Sequence, residues 1–132
     1  MGVEWNVIDH IPDALAQSAP ADATGIVTVT FDPVGAGLYW RIERIRVQTT
    51  STTTTTALVY VGDVSAQNLR DGSIAGNSDN ADYSSPLVVP PSRQLQIVWS
   101  GMSLGAVATA IVQHQLVERI EVGPARRLGP AY

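Results

Sequence analysis

The chain has 132 residues, with eight Arg and no Lys against twelve Asp plus Glu, for a formal net charge of −4. That length fits one domain, since domains typically run to roughly 100–150 residues, and a hydrophobic content of 45% is enough to bury a core. The acidic balance argues against a nucleic-acid binder, the absence of Cys excludes disulfides, thiolate catalysis and Cys-ligated zinc, and no apolar run approaches the roughly 20 residues of a membrane span.

Met1 to Trp5 lacks the basic flank and apolar stretch of a signal peptide, so synthesis without secretion is the expectation. Residues 1–23 have no clean period and read as an N-terminal arm. Trp5, Val7, Ile8 and Ile11 suit an arm that lies on another surface better than a solvated tail. Ile11 to Gln17 predicts one helical turn with Pro12 at its first position. Ser18 to Ala23 reads as a linker.

From Thr24 the signal is strand after strand. Ile26 to Asp32 alternates, with Val27, Val29 and Phe31 on one face. Asp32-Pro33-Val34-Gly35-Ala36-Gly37 is a turn. Leu38 to Thr50 is a long strand in which Leu38, Trp40 and Ile42 share one parity, and Ile45 and Val47 the other. A strand changes its buried parity within one core only by inserting a residue, so a β-bulge is predicted near Glu43-Arg44, with a strand passing between two core regions as the rival reading. The hydroxyl run Thr49 to Thr56 has high β-propensity but no apolar face, which predicts an exposed hairpin tip.

Ala57 to Val61 is again a strand, closed by Gly62-Asp63. Residues 64–85 read as a long irregular loop, a length that is uncommon in a small domain and often functional. Pro86 to Val89 predicts a short edge strand before Pro90-Pro91. Leu95, Ile97 and Trp99 alternate with Gln94, Gln96 and Val98 as a half-buried strand. Gly105 to Val117 is a last long strand with Ala106, Ala108 and Ala110 on one face. Residues 118–132, with Arg126, Arg127 and Tyr132, read as a C-terminal arm.

This pattern predicts an all-β fold over residues 24–117: an antiparallel β-sandwich, jelly-roll-like, with extended arms at both ends. An immunoglobulin-like sandwich is the second choice. Trp40 and Trp99 share parity with core residues and belong in the core. Tyr39 and Tyr60 point the other way, toward a subunit interface, where Tyr is enriched. Tyr83 is the candidate exposed aromatic for a glycan.

Candidate chemistry is sparse. Asp71, Asn77, Asp79, Asn80 and Asp82 supply oxygen ligands of the kind calcium takes, but their spacing does not match an EF-hand loop, and the same residues are ordinary loop formers. No metal or cofactor is expected. His114 sits in the last strand without a nucleophile elbow or a zinc motif in the chain, so a structural His is expected, and His10 reads alike. Glu43, Glu118 and Glu121 are acidic, yet nothing in the pattern pairs them as glycosidase carboxylates. Arg41, Arg44 and Arg46 lie along one strand with Glu43 between them. The predicted bulge splits them across faces, which fits a solvated sheet or subunit salt bridges.

Three stretches carry a resemblance: Leu38-Tyr39-Trp40-Arg41-Ile42-Glu43-Arg44-Ile45, then Ala57-Leu58-Val59-Tyr60-Val61-Gly62-Asp63, then Leu87-Val88-Val89-Pro90-Pro91 with Leu95-Gln96-Ile97-Val98-Trp99-Ser100-Gly101. Over residues 24–117 the chain resembles small virion proteins of tailed phages, those of actinobacteria in particular, whose GC-rich genomes suit the Lys-free composition. The resemblance implies a non-enzymatic structural subunit of the capsid decoration (minor capsid) type, located on the virion surface. It transfers no catalytic residues and no cofactor. Its implied partners are the major capsid protein and further copies of the chain, as a homo-oligomer such as a trimer, with neither nucleic acid nor membrane. Trp5, Ile8, Ile11, Tyr39, Tyr60, Arg126, Arg127 and Tyr132 are the candidate partner-binding residues. A tail or baseplate subunit whose β-sandwich binds a host receptor or glycan is the alternative.

Overall fold

A computed structural model describes residues 2–10, 15–32 and 37–122. Nine strands follow in order among them: β1 Gly2–His10, β2 Leu15–Pro20, β3 Val27–Phe31, β4 Leu38–Thr49, β5 Thr56–Val61, β6 Leu69–Ala75, β7 Ser78–Val89, β8 Leu95–Ser100 and β9 Val107–Val122. One short 3-10 turn, Ala66–Asn68, precedes β6.

The strands form two antiparallel sheets. The first contains β1 and β2 beside β9, then β4, then β7 at the far edge; the second runs β3-β8-β5-β6. The pairings are nested: β2 with β9, β3 with β8, β4 with β7, and β5 with β6. That is a long antiparallel hairpin rolled up so that successive pairs fall in alternate sheets, the jelly-roll arrangement expected from the sequence.

Alternation explains which faces close on each other. Val27, Val29 and Phe31 of β3, Leu95, Ile97 and Trp99 of β8, and Ala108, Ala110 and Val112 of β9 are all buried in one cluster. Trp99 is fully buried and Trp40 nearly so, with Phe31 edge-on to Trp40 at 6.5 Å between ring centroids. The small Ala residues of β9 are inward, as their shared parity predicted. The bulge is present: in both pairings of β4 the register shifts between Ile42 and Arg44. Against β9, Glu43 is the residue left over, because Ile42 faces His114 and Arg44 faces Gln113.

Several local expectations are corrected. Residues 15–17, expected in a helical turn, are strand, while 11–14 lie outside the described residues. Residues 2–10 and 15–20 both run along one side of β9, from Gly2 opposite Val122 to Pro20 opposite Val107. The hydroxyl run is not a hairpin tip, because β4 and β5 belong to different sheets. Residues 50–55 instead carry the chain from one sheet to the other. The expected irregular stretch 64–85 is largely β6 and β7. These are edge strands, and polar, Asp-bearing sequence is a common way to blunt an edge. Their backbone ladders form without the apolar period that marks a core strand.

Candidate functional site

The two ends of the sandwich differ in kind. At one end the connections 21–26, 50–55, 76–77 and 101–106 are stitched together by hydrogen bonds. Asn77 Oδ1 accepts from both the backbone and the hydroxyl of Thr55, at 2.7 and 2.9 Å, while its Nδ2 donates to the Thr53 carbonyl at 2.9 Å. The Thr53 hydroxyl donates to the Gly101 carbonyl at 2.6 Å, and Ser103 N donates to Ser51 Oγ at 3.1 Å. Trp99 Nε1 donates to the Gly76 carbonyl at 3.0 Å. A Cβ on Gly76 would meet Thr55 Oγ1 and sit 2.8 Å from Trp99 Cδ1, so this turn requires glycine. The hydroxyl run therefore acts as internal mortar.

The acidic residues considered for calcium are dispersed by the same logic. Asn77 is committed to Thr55 and Thr53. Asp79 accepts from the Ala75 backbone at 3.1 Å, Asp82 takes Arg44 Nε at 2.5 Å, and Asp71 accepts the Tyr83 hydroxyl at 2.9 Å. Among the described residues no group of three or more His, Asp or Glu is placed to hold a metal ion. Tyr83 is thus half-buried and bonded rather than offered to solvent. Burial, reinforced by the Asp71 carboxylate, holds its hydroxyl above the usual tyrosine range.

Arg41, Arg44 and Arg46 are not split across faces. The extra residue Glu43 restores parity, so all three lie away from the core, with Trp40, Ile42, Ile45 and Val47 buried between them. The Arg44–Asp82 pair is exposed on both sides, 48% and 63%, and such pairs contribute about 0–1 kcal/mol. His114 is buried in the first sheet with its ring 4.9 Å from that of Trp40.

The candidate interface residues fall in three places. Tyr39 is half-buried on β4 and faces Val117 in register. Val117 is fully buried yet outside the inter-sheet core, as is Tyr60, which is 9% exposed. Tyr60 therefore does not present an open surface. A register slip in β5 places Leu69 opposite it and breaks the simple alternation of that strand. Trp5 stands opposite Arg119, and Ile8 sits in the register shift between Val7 and Asp9. Ile11, Arg126, Arg127 and Tyr132 lie outside the described residues.

Trp5 belongs to a feature that local pattern does not reveal. β4 begins at Leu38, opposite Glu118. The pairs from Gly2–Val122 to Trp5–Arg119 lie beyond that point, and among the described residues no third strand joins them. They make a two-stranded ribbon about 13 Å long at the usual strand rise. An isolated two-stranded ribbon is marginally stable in water; this one is held at its base by the sheet it continues.

The opposite end holds a hollow of about 470 Å³ lined by Gly62, Asp63, Gln67, Asn68, Ser92, Arg93 and Gln94. None of its lining side chains was singled out in the sequence. The signals for it were two turns, Gly62-Asp63 and Pro90-Pro91, which read only as strand punctuation.

No protein-family model matches this chain, and no curated protein does. Among solved structures, it is similar to one of infectious bursal disease virus, Gx strain, with 22% identity over 92% of this chain and a TM-score of 0.40. This chain spans about a third, 32%, of that one. It is also similar to the second N-terminal cellulose-binding domain of β-1,4-glucanase C from Cellulomonas fimi, with 16% identity over 86% of this chain and 98% of that one, and a TM-score of 0.33.

Proposed function

We propose that this protein is a non-enzymatic structural subunit of a phage particle, and specifically a capsid decoration protein. Residues 24–117 with β2 form its body, and the outer ends of the stretches 1–23 and 118–132 are its docking arms. Its partners are the major capsid protein and further copies of itself in a homo-oligomer on the virion surface.

The observation that carries this reading is the ribbon of Gly2–Trp5 with Arg119–Val122. It draws on both arms and continues β9 beyond the body of its sheet. A capsid cement adds buried area across seams without doing chemistry. An arm already held in strand geometry loses less conformational entropy on docking than a free tail. Repetition over a symmetric lattice then multiplies a modest contact through avidity.

Cryo-electron microscopy of intact particles, with this chain located in the map, tests the proposal. Density on the capsid lattice, with the ribbon against a neighbouring chain, is the expected result. Density at the tail tip or collar overturns decoration in favour of a tail or baseplate subunit.

A further inference from the structure

We propose that the hollow between the β5–β6 connection and the turn into β8 is a binding site for a saccharide, recognised through its hydroxyl groups. Its volume of about 470 Å³ falls in the range of small-molecule sites. Its floor is built rather than incidental. Gly62 N donates to the Gln94 carbonyl at 2.8 Å, and Gln96 Nε2 donates to the Gly62 carbonyl at 2.8 Å. Gly62 itself is left-handed at φ +102°, and a Cβ there would come within 3.1 Å of both Arg93 Nη1 and Asn68 Nδ2. A guanidinium and a carboxamide therefore converge over a backbone that carries no side chain.

The second observation is independent of the hollow's shape. Ser92, on its rim, has φ +68° and is the one non-glycine residue with positive φ among the described residues. Arg93 N donates back to the Pro90 carbonyl at 3.3 Å, closing a turn with Pro91 and Ser92 at its centre. Positive φ after a Pro is the mark of a type II turn, a position that ordinarily takes Gly or Asn. Holding Ser there stores strain, and strained non-glycine backbone gathers at ligand clamps. A hydroxyl at the rim is what the strain retains.

The lining decides the ligand class. It offers donors in Arg93, Gln67 and Ser92, and acceptors in Asp63, Gln67 and Gln94, with no apolar side chain among them. Asp32 adds a carboxylate through Gln94, whose Nε2 donates to it at 3.2 Å. One carboxylate in the lining and a second just behind Gln94 offset the single guanidinium and disfavour a phosphate or sulfate. The mixed donor and acceptor set matches vicinal hydroxyls, each of which donates and accepts. This inference stands on the cleft alone, which belongs to a connection within the second sheet and the turn that enters it from the first, and does not depend on the assembly role.

The test is a 15N–1H NMR titration of the full chain. The probes are methyl glycosides of glucose, galactose, mannose and N-acetylglucosamine, their common disaccharides, and inorganic phosphate as a control. The expected result is saturable shifts confined to Gly62, Asn68, Ser92, Arg93 and Gln94 with at least one sugar. Arg93→Ala and Gln67→Ala, both exposed positions, should retain the fold by circular dichroism and weaken binding roughly tenfold each. Ser92→Gly should raise the melting temperature while weakening binding. No shift from any sugar at about 50 mM, well above the millimolar range of weak ligands, overturns the proposal. So do shifts mapping elsewhere, or shifts produced by phosphate and not by sugar.

Discussion

The Tyr83 hydroxyl donates to Asp71 Oδ2 at 2.9 Å, joining the edge strand β7 of one sheet to the edge strand β6 of the other. Tyr83 also packs against the core, so its ring and its hydroxyl both close the open side of the sandwich. Burial first, and the neighbouring carboxylate second, keep the hydroxyl protonated above the usual tyrosine range. A tyrosine raised in the folded state stabilises fully below its unfolded value near pH 10. That contribution is lost as pH climbs from there toward the folded value, because the unfolded chain releases the proton first. Urea denaturation between pH 8 and 12 should show this decline, and Tyr83→Phe should flatten it. At neutral pH the same substitution should cost about 1 kcal/mol, the net value of one hydrogen bond. An unchanged pH profile in Tyr83→Phe would count against this account.

Asn77 is the keystone of the stitched end. Its carbonyl oxygen satisfies both polar groups of Thr55, which is 3% exposed. Asn77→Ala leaves those buried donors without an acceptor, and each such loss costs about 1–3 kcal/mol. A destabilisation of roughly 2–4 kcal/mol is expected from chemical denaturation. Asn77→Asp keeps the acceptor, and its second oxygen, which repels the Thr53 carbonyl when ionised, can donate to it once protonated, so a cost nearer 1 kcal/mol is expected at acidic pH. Equal costs for the two variants would show that the acceptor is not what matters.

The bulge gives a pair of deletions opposite consequences. Glu43 is the surplus residue against β9, so its deletion leaves Ile42 and Ile45 inward with Arg44 between them. A folded domain is expected by circular dichroism and NMR dispersion. Deleting Arg46 has no such excuse. It moves Val47 onto the solvent parity and with it every later pairing of β4, since a one-residue slip inverts both faces. Loss of dispersed NMR signals is expected there. If both deletions unfold the chain, Glu43 is fixed by more than the strand count.

How much of this was readable from sequence follows from where the information lies. The bulge and the positions of Trp40 and Trp99 were legible because parity of buried side chains is a local signal. β6 and β7 were not, because edge strands draw on backbone pairing and carry polar sequence. Tyr60 was misplaced because the slip in β5 interrupts its alternation. The Thr run was misjudged because its hydroxyls find partners such as Asn77 and Gly101, which are distant in sequence. The ribbon and the sugar-sized hollow share that character. Trp5 meets Arg119, and Gly62 meets Arg93, through long-range pairing that no window of a few residues contains.

The ribbon makes the proposed docking role separable from the stability of the body. Removing residues 1–6 deletes one strand of the ribbon but leaves β9 paired with β4 from Thr49–Ala108 to Leu38–Glu118. It also leaves Val7 to His10 beside β9. The buried side chains of β3, β4, β8 and β9 all remain, so the melting temperature should fall by only a few degrees, as for a loss of about 1 kcal/mol. If the protein is the proposed decoration subunit, binding to capsids stripped of it should be lost in a sedimentation assay, because the strand proposed to meet the lattice is gone. The two readouts separate the explanations. A folded variant that no longer sediments with capsids assigns docking to the ribbon, and a folded variant with undiminished occupancy removes the ribbon from the interface. An unfolded variant would instead assign β1 to the stability of the sheet, and single substitutions at Trp5 and Val3, which preserve the backbone ladder, would then decide docking by the same assay.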